Sequence, residues 1–326
     1  MKTLILTRQQ IKPLLSMSKA IRAVEAVFKA QGQNKVQMPA KIYLDLKKYH
    51  GDFRAMPAFV ESLNAATLKW VNSHSRNAKY QMPAVMAVLI LSDPRNGFPL
   101  CIMDGTYATD IRTGAAGAVA AKYLARQDSK VISLVGCGRQ AQTQLEALEQ
   151  VFKIEQVKIW GHEETVMKSF KKAMPLFRKR MVLCQTIKEC VTDGDIVVTT
   201  TPSRKPIVKL NWLKKNAHVN AIGADAAGKQ ELDPIILKKG KVVIDDWTQA
   251  SHSGEINVPL KKKQISQRNI HAELGELVSR KKASASLRNT ITVFDSTGLA
   301  VQDTAVAHLI YKEARKKKTG KLIQLI

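Results

Sequence analysis

Two stretches of this 326-residue chain have residue types and spacing suited to holding a nucleotide. The first is Gly136-Cys137-Gly138-Arg139-Gln140-Ala141, which follows a β-branched apolar run at 130–135 and leads into an apolar-periodic run at 140–152. Strand, glycine turn and helix in that order form the frame that binds a dinucleotide pyrophosphate. Gly136 permits the tight turn. Gly138 lets backbone N–H groups approach phosphate oxygens at the positive end of the helix, where Gln140 also stands. Ala141 takes the third small position, where helix and strand pack closely. The second stretch is Thr199-Thr200-Thr201-Pro202-Ser203, directly after an apolar strand. Hydroxyls at the carboxyl end of such a strand lie where dinucleotides bind, or else cap a following turn.

The end of the next strand bears on which dinucleotide is meant. An acid there would take the ribose 2′-hydroxyl. The sequence reads Trp160-Gly161-His162-Glu163-Glu164, with glycine at the expected acid position. His162 is placed to meet a 2′-phosphate, with Lys168 or Lys171 beside it, and this leans toward NADP. Glu163 or Glu164 standing in for the missing acid would instead favour NAD.

The elements that must position these groups follow from periodicity. Residues 18–31 repeat apolar side chains at helical spacing, with Ser18 as the expected N-cap and Gly32 as the stop. Strands are expected at 40–46 and 52–60, and a hairpin at 85–91 and 99–103 across the turn Asp93-Pro94-Arg95-Asn96-Gly97. A helix rich in Gly and Ala is expected at 113–125, its small residues implying close packing or close approach to a ligand. From residue 130 onward the rhythm changes. Short apolar runs at 157–160, 181–184, 195–200, 218–222 and 241–244 alternate with helical or loop segments, which indicates a doubly wound parallel sheet. The stretch 300–315 reads as a closing helix.

Composition narrows the function. Hydrophobic residues make up 45% and charged residues 24%, as in an ordinary globular protein. No apolar run reaches bilayer length. The N-terminal apolar stretch is broken at Thr7-Arg8-Gln9-Gln10 without a small-residue cleavage site, so no signal peptide and a cytoplasmic location are expected. Cys101, Cys137, Cys184 and Cys190 form no CxxC pair, so no metal site or disulfide framework is expected. The formal charge of +25 raises the question of nucleic acid. However, the lysines are spread along the chain and no base-stacking aromatic run accompanies them, so a solvated basic surface is the preferred reading.

Several blocks point to one family. They are Phe53-Arg54-Ala55-Met56-Pro57, Leu68-Lys69-Trp70-Val71-Asn72-Ser73-His74, Asp104-Gly105-Thr106 with Arg112-Thr113-Gly114, the glycine turn, Gly223-Ala224-Asp225 with Gly228-Lys229-Gln230-Glu231-Leu232, and Phe294-Asp295-Ser296-Thr297-Gly298 with Gln302-Asp303. Together they resemble the ornithine cyclodeaminase/mu-crystallin family over nearly the whole chain. Within it they are most similar to the archaeal-type alanine dehydrogenases.

The resemblance implies an α/β fold. A central Rossmann domain is expected at 114–298, and a second α/β domain for substrate binding and homodimerisation at 1–113 with 299–326. The resemblance further implies Lys69 and Asp225 as catalytic residues, and Lys41, Arg54 and Arg112 as substrate-binding ones. Arg112, Thr113, Ser296 and Gly298 join the cofactor residues named above. Two positions depart from the family pattern, Ser75 where proline is usual and Gly161 where an acid is usual.

The implied activity is NAD(P)-dependent oxidation of a small amino acid, L-alanine to pyruvate and ammonia. The chemistry agrees with those residue types. A substrate carboxylate needs cations, and proton transfer needs a group tuned near neutral pH, which a lysine crowded by other cations becomes. The alternatives are an ornithine cyclodeaminase forming proline and ammonia, a ketimine reductase acting on an imino acid, and a non-catalytic mu-crystallin-like binding protein.

Overall fold

The computed structural model describes residues 1–283 and 285–326. The chain divides into two compact units, Met1–Arg112 with Leu299–Ile326, and Thr113–Gly298.

The first unit contains β1 (Thr3–Leu6), β2 (Val36–Gln37), β3 (Ile42–Leu46), β4 (Gly51–Val60), β5 (Ala65–His74), β6 (Val85–Ser92), β7 (Pro99–Asp104) and a closing strand, Lys321–Ile323. These form one sheet in the order closing strand, β1, β7, β6, β5, β4, β2, with β3 also paired to β4. The run from β4 to β7 is antiparallel and contains the expected hairpin, β6 with β7. Alternation along the long strands separates two faces. Arg54, Met56, Ala58 and Val60 on β4, and Thr67, Lys69 and Val71 on β5, are buried. The helix Ala300–Lys316 packs on β4, β5 and β6 and against the helix Met17–Gly32. On the opposite face, register sets Ile42, Ala55, Trp70 and Val88 side by side, and Ile42, Trp70 and Val88 are exposed.

Two helix starts differ from the sequence expectation. The first helix is capped by Ser16, whose hydroxyl accepts from Lys19 N, while Ser18 is already helical and accepts from Arg22. The small-residue helix begins at Gly105 rather than at 113, because the Asp104 carboxylate caps it by accepting from Thr106 N and Tyr107 N.

The second unit is a doubly wound sheet built from β8 (Val131–Val135), β9 (Gln156–Trp160), β10 (Met181–Leu183), β11 (Ile196–Thr199), β12 (His218–Ala221), β13 (Lys241–Ile244), β14 (Ile270–Glu273) and β15 (Thr292–Asp295). The order is β10-β9-β8-β11-β12-β15-β13-β14, with every pair parallel. Both faces are covered. Ile196 and Val198 enter one core with Leu134, Leu145 and Ile159, while Val197 enters the other with Val219, Val242 and Val293. The winding reverses between β8 and β11, and such a switch point opens a crevice at the carboxyl ends of the strands.

The glycines of the Gly105–Leu124 helix serve packing. A Cβ added at Gly114 would run into the Thr143 carbonyl, and one at Gly117 into the Gln144 side chain. Gln144 Nε2 instead donates to the Thr113 carbonyl at 2.9 Å. Gly114→Val must therefore push the helix Arg139–Leu148 away. We expect it to lose about 1–3 kcal/mol in urea unfolding, as overpacked cores do. An unchanged midpoint would contradict this close approach.

Candidate active site

Lys69 stands at a core-facing position of β5, where alternation calls for an apolar residue. Its register neighbours are Met56 on β4 and Leu89 on β6, both buried. Only 1% of the lysine is exposed. A charge so buried needs a partner, and the Ala300–Lys316 helix supplies one. Lys69 Nζ lies 2.7 Å from Asp303 Oδ2. The other carboxylate oxygen, Oδ1, accepts from Arg112 Nε at 3.1 Å, and Arg112 Nη1 donates to Gln302 Oε1 at 2.9 Å. One turn of helix thus holds both long cationic side chains. Next to it, Thr304 donates to the Ala300 carbonyl, so Thr67 is the donor in the 2.6 Å bond between the Thr67 and Thr304 hydroxyls. Gln302 Nε2 is buried and has no hydrogen-bond partner, which leaves a donor available to an incoming acceptor.

One carboxylate against two buried cations leaves an excess positive charge. Burial first, and then Arg112, pushes the Lys69 ammonium down from 10.5 to about 7. Asp303 opposes that shift, and Lys41 adds to it. A lysine so tuned exchanges protons near neutral pH, which general acid–base chemistry requires.

The remaining cations differ in how they are used. Lys41 is close enough to act on Lys69 through its charge. Arg54 is buried on β4, but its guanidinium makes a two-point contact with Asp52, Nε to Oδ1 at 2.8 Å and Nη2 to Oδ2 at 3.2 Å, and lies over the Tyr43 ring. Asp225 belongs to the second unit, on the segment after β12, and pairs with Lys229 at 2.5 Å.

In the second unit the glycine turn has the shape a pyrophosphate needs. Gly136 adopts φ +116°, and a Cβ there would lie 2.5 Å from Thr200 Oγ1. A Cβ at Gly138 would meet nothing within 4 Å, so the space over the helix start is open. Gly138 is the N-cap of Arg139–Leu148 and offers no side-chain cap, and the positive end of a helix attracts phosphate. Ala141 is buried in the core beneath. Thr200 N donates to the Val135 carbonyl at 2.9 Å, which sets the threonine run beside the turn. Pro202 is exposed. Ser296 Oγ is buried without a partner, and Gly298 N donates to Asp245. Such a cradle, with an orphaned hydroxyl in the same unit, fits a dinucleotide.

Gly161 has a steric reason to be glycine. A Cβ there would lie 2.5 Å from Cys137 Sγ, the side chain between the two turn glycines. His162, Glu163 and Glu164 are exposed beyond it. The lysines considered for a 2′-phosphate are engaged elsewhere. Lys168 pairs with Glu164 at 2.8 Å, and Lys171 donates to the Met181 carbonyl at 2.8 Å.

Sequence reasoning did not single out the buried acids. Asp303 stood in a quoted block without a role. Glu231 accepts from Thr199, Thr201 and Gly223, and burial pushes its carboxyl up to about 6 against those bonds. Glu255 accepts from Glu231 N and Leu232 N, and Asp295 from Glu255 N and Ile256 N. Asp245 accepts from Thr297 and Gly298. Asp245 and Asp295 carry one sequence signal, since each ends an apolar strand run. Among the described residues, no group of His, Cys, Asp and Glu is arranged to hold a metal ion.

Comparison with known proteins places these features in context. Residues 1–318 match the model of the ornithine cyclodeaminase/mu-crystallin family. An alanine dehydrogenase of Archaeoglobus fulgidus is 49% identical over 325 residues, covering 99% of each chain. A solved archaeal alanine dehydrogenase dimer with bound NAD superposes with a TM-score of 0.96 at 48% identity, covering 100% of both chains. The Δ1-pyrroline-2-carboxylate reductase of Thermococcus litoralis, solved with NADH and L-proline, superposes at 0.94 with 34% identity, covering 98% of this chain and 99% of that one.

The shared carboxylate makes a stability prediction. Asp303→Asn leaves two buried cations without their counter-charge, which should cost about 3–5 kcal/mol in urea unfolding at pH 6. At pH 6 the native lysine, with its pKa of about 7, is protonated and paired. At pH 9 it is neutral with or without Asp303, so the lysine's share of the deficit disappears and only that of Arg112 remains. A deficit independent of pH would contradict this arrangement.

Proposed function

The chain belongs to the ornithine cyclodeaminase/mu-crystallin family, and from that premise we propose that it is an NAD-dependent L-alanine dehydrogenase. The reaction converts L-alanine, water and NAD⁺ to pyruvate, ammonium, NADH and a proton, and runs reversibly. The observation that carries this reading is the buried set of Lys69, Asp303 and Arg112, which combines an anion-binding charge with a proton carrier tuned near neutrality. The alanine dehydrogenases among its relatives support the choice of substrate.

In this reading Gly136, Gly138, Gln140 and Ala141 form the pyrophosphate cradle, with Thr113, Thr199, Thr200, Thr201, Pro202, Ser296 and Gly298 completing the cofactor surface. When bound, the nicotinamide supplies the two-electron chemistry by taking the Cα hydride. Arg112, the open Gln302 amide and the charge of Lys41 hold the substrate carboxylate. Lys69, neutral at and above about pH 7, takes the proton of the water that adds to the imine and gives a proton to the departing amine. Asp225, held by Lys229, is the second proton carrier. Arg54, paired with Asp52, is a further cation for the substrate carboxylate.

The cyclodeaminase alternative needs a further acid for a distal ammonium group. Asp303, which touches Lys69, is committed to two cations, and this favours the dehydrogenase. NAD is favoured over the NADP suggested by Gly161 and His162. Lys168 and Lys171 are engaged, two glutamates follow Gly161, and relatives are described with NAD or NADH. The +25 charge is read as a solvated surface.

The deciding experiment incubates the purified chain with L-alanine, L-ornithine or L-proline, and NAD⁺ or NADP⁺ separately. Accumulation of NADH with alanine, faster than any NADPH, is expected. Proline and ammonia from ornithine without net reduction would replace this reading with the cyclodeaminase.

We also propose a homodimer formed through the outer face of the first unit's sheet. Trp70 is 41% exposed there and stacks on Phe53 with ring centroids 5.0 Å apart, and contiguous exposed apolar surface of this kind marks an interface. Trp70→Glu should elute as a monomer with monomer mass by light scattering, where the unaltered chain is a dimer. A dimer in both would contradict the choice of face.

A further inference from the structure

The Glu231 carboxylate holds residues on both sides of Thr200. Oε2 accepts from the Thr199 hydroxyl at 2.8 Å, and Oε1 accepts from Thr201 N at 2.6 Å and from the Thr201 hydroxyl at 2.7 Å. Oε2 also accepts from Gly223 N at 3.0 Å, which joins the end of β12 to the end of β11. Thr200, clamped between Thr199 and Thr201, is the residue whose hydroxyl lies against Gly136 of the phosphate turn. The carboxylate therefore fixes the strand end that faces the turn across the switch point.

The clamp is itself braced. The Glu231 and Leu232 amides are bound by the Glu255 carboxylate at 2.7–3.0 Å, and the Glu255 and Ile256 amides by Asp295 at 2.8 and 3.1 Å. Asp295 ends β15, the strand beside β12. Three buried acids thus link the ends of three neighbouring strands through backbone N–H groups, and no substrate-binding group takes part. A neutral turn of main chain could satisfy one amide. It could not gather two hydroxyls and two amides from two strands onto one group.

We propose that Glu231 is a positioning residue for the cofactor: by clamping Thr199, Thr201 and Gly223 it holds Thr200 against Gly136 and so sets the affinity for the dinucleotide without taking part in proton transfer. This rests on the reading of the glycine turn as a nicotinamide dinucleotide site.

The test titrates NADH by its fluorescence into the full-length chain and into Glu231→Ala and Glu231→Gln. Alanine removes every acceptor, whereas glutamine keeps one oxygen for Thr201 and lets the Thr199 hydroxyl turn to accept from the new amide, but loses the bond from Gly223 N. We expect Glu231→Ala to raise the Kd for NADH by about tenfold or more, which corresponds to roughly 1.4 kcal/mol. Glu231→Gln should recover part of that loss. At saturating cofactor, kcat should stay within about threefold.

An unchanged Kd in Glu231→Ala would overturn the proposal, as would a fall in kcat with Kd unmoved. Should Glu231→Ala fail to fold by circular dichroism, Glu231→Gln, which gives up the Gly223 bond, decides. A raised Kd with kcat retained upholds the proposal, and a native Kd overturns it. Failure of the unaltered chain to bind NADH would instead remove the dinucleotide reading itself.

Discussion

Asp303 shared between Lys69 and Arg112 is the constraint on which the first unit depends. Two long cations buried together, one on the sheet and one on the Gly105–Leu124 helix, would be prohibitively costly without a carboxylate. The Ala300–Lys316 helix supplies that carboxylate from the far end of the chain, and in doing so fixes where the helix sits over β5. The same geometry leaves the group short of negative charge. Burial and that shortage together lower the Lys69 pKa, and the shortage gives an anionic substrate group a reason to enter. Structure and chemistry therefore rest on one imbalance, two positive groups and one negative one.

The second unit solves a different problem with the same residue type. Its buried acids accept from backbone amides and hydroxyls, Glu231 from those at the ends of β11 and β12 and Asp245 from those just after β15, where the chain leaves the sheet and loses its ladder partners. A carboxylate offers enough lone pairs to gather several such donors. The outcome is a rigid crevice edge around a turn that is itself kept open, with Gly138 facing unfilled space and Gly161 cleared for Cys137.

Much of this is legible in the sequence where the signal is local. The strand, glycine turn and helix at 130–152 declare themselves, and so does the alternation that yields a doubly wound sheet. Lys69 was reached only through resemblance, although β5 carries a local cue. Ala65, Thr67, Lys69 and Val71 share one buried face, and the lysine is the charged residue in an otherwise uncharged stripe. Asp303 was not assigned because its meaning lies in partners from β5 and from the Gly105–Leu124 helix, which no spacing reveals. Glu231, Glu255 and Asp245 were hidden for a related reason, since backbone donors leave no side-chain pattern. The shift of the first helix start from Ser18 to Ser16 is a smaller case. Both serines can cap, and the backbone selects the one that stays extended.

The most direct test of the account is the protonation of Lys69 itself. Nitrogen-15 labelling of lysine side chains, with the resonance assigned by comparison with Lys69→Met, allows Nζ to be followed by NMR across pH 5 to 11. The account predicts a midpoint near 7, set by burial and Arg112 against Asp303. A midpoint near the ordinary lysine value of 10.5 would contradict it. The buried set would then be a structural ion pair and not a proton carrier.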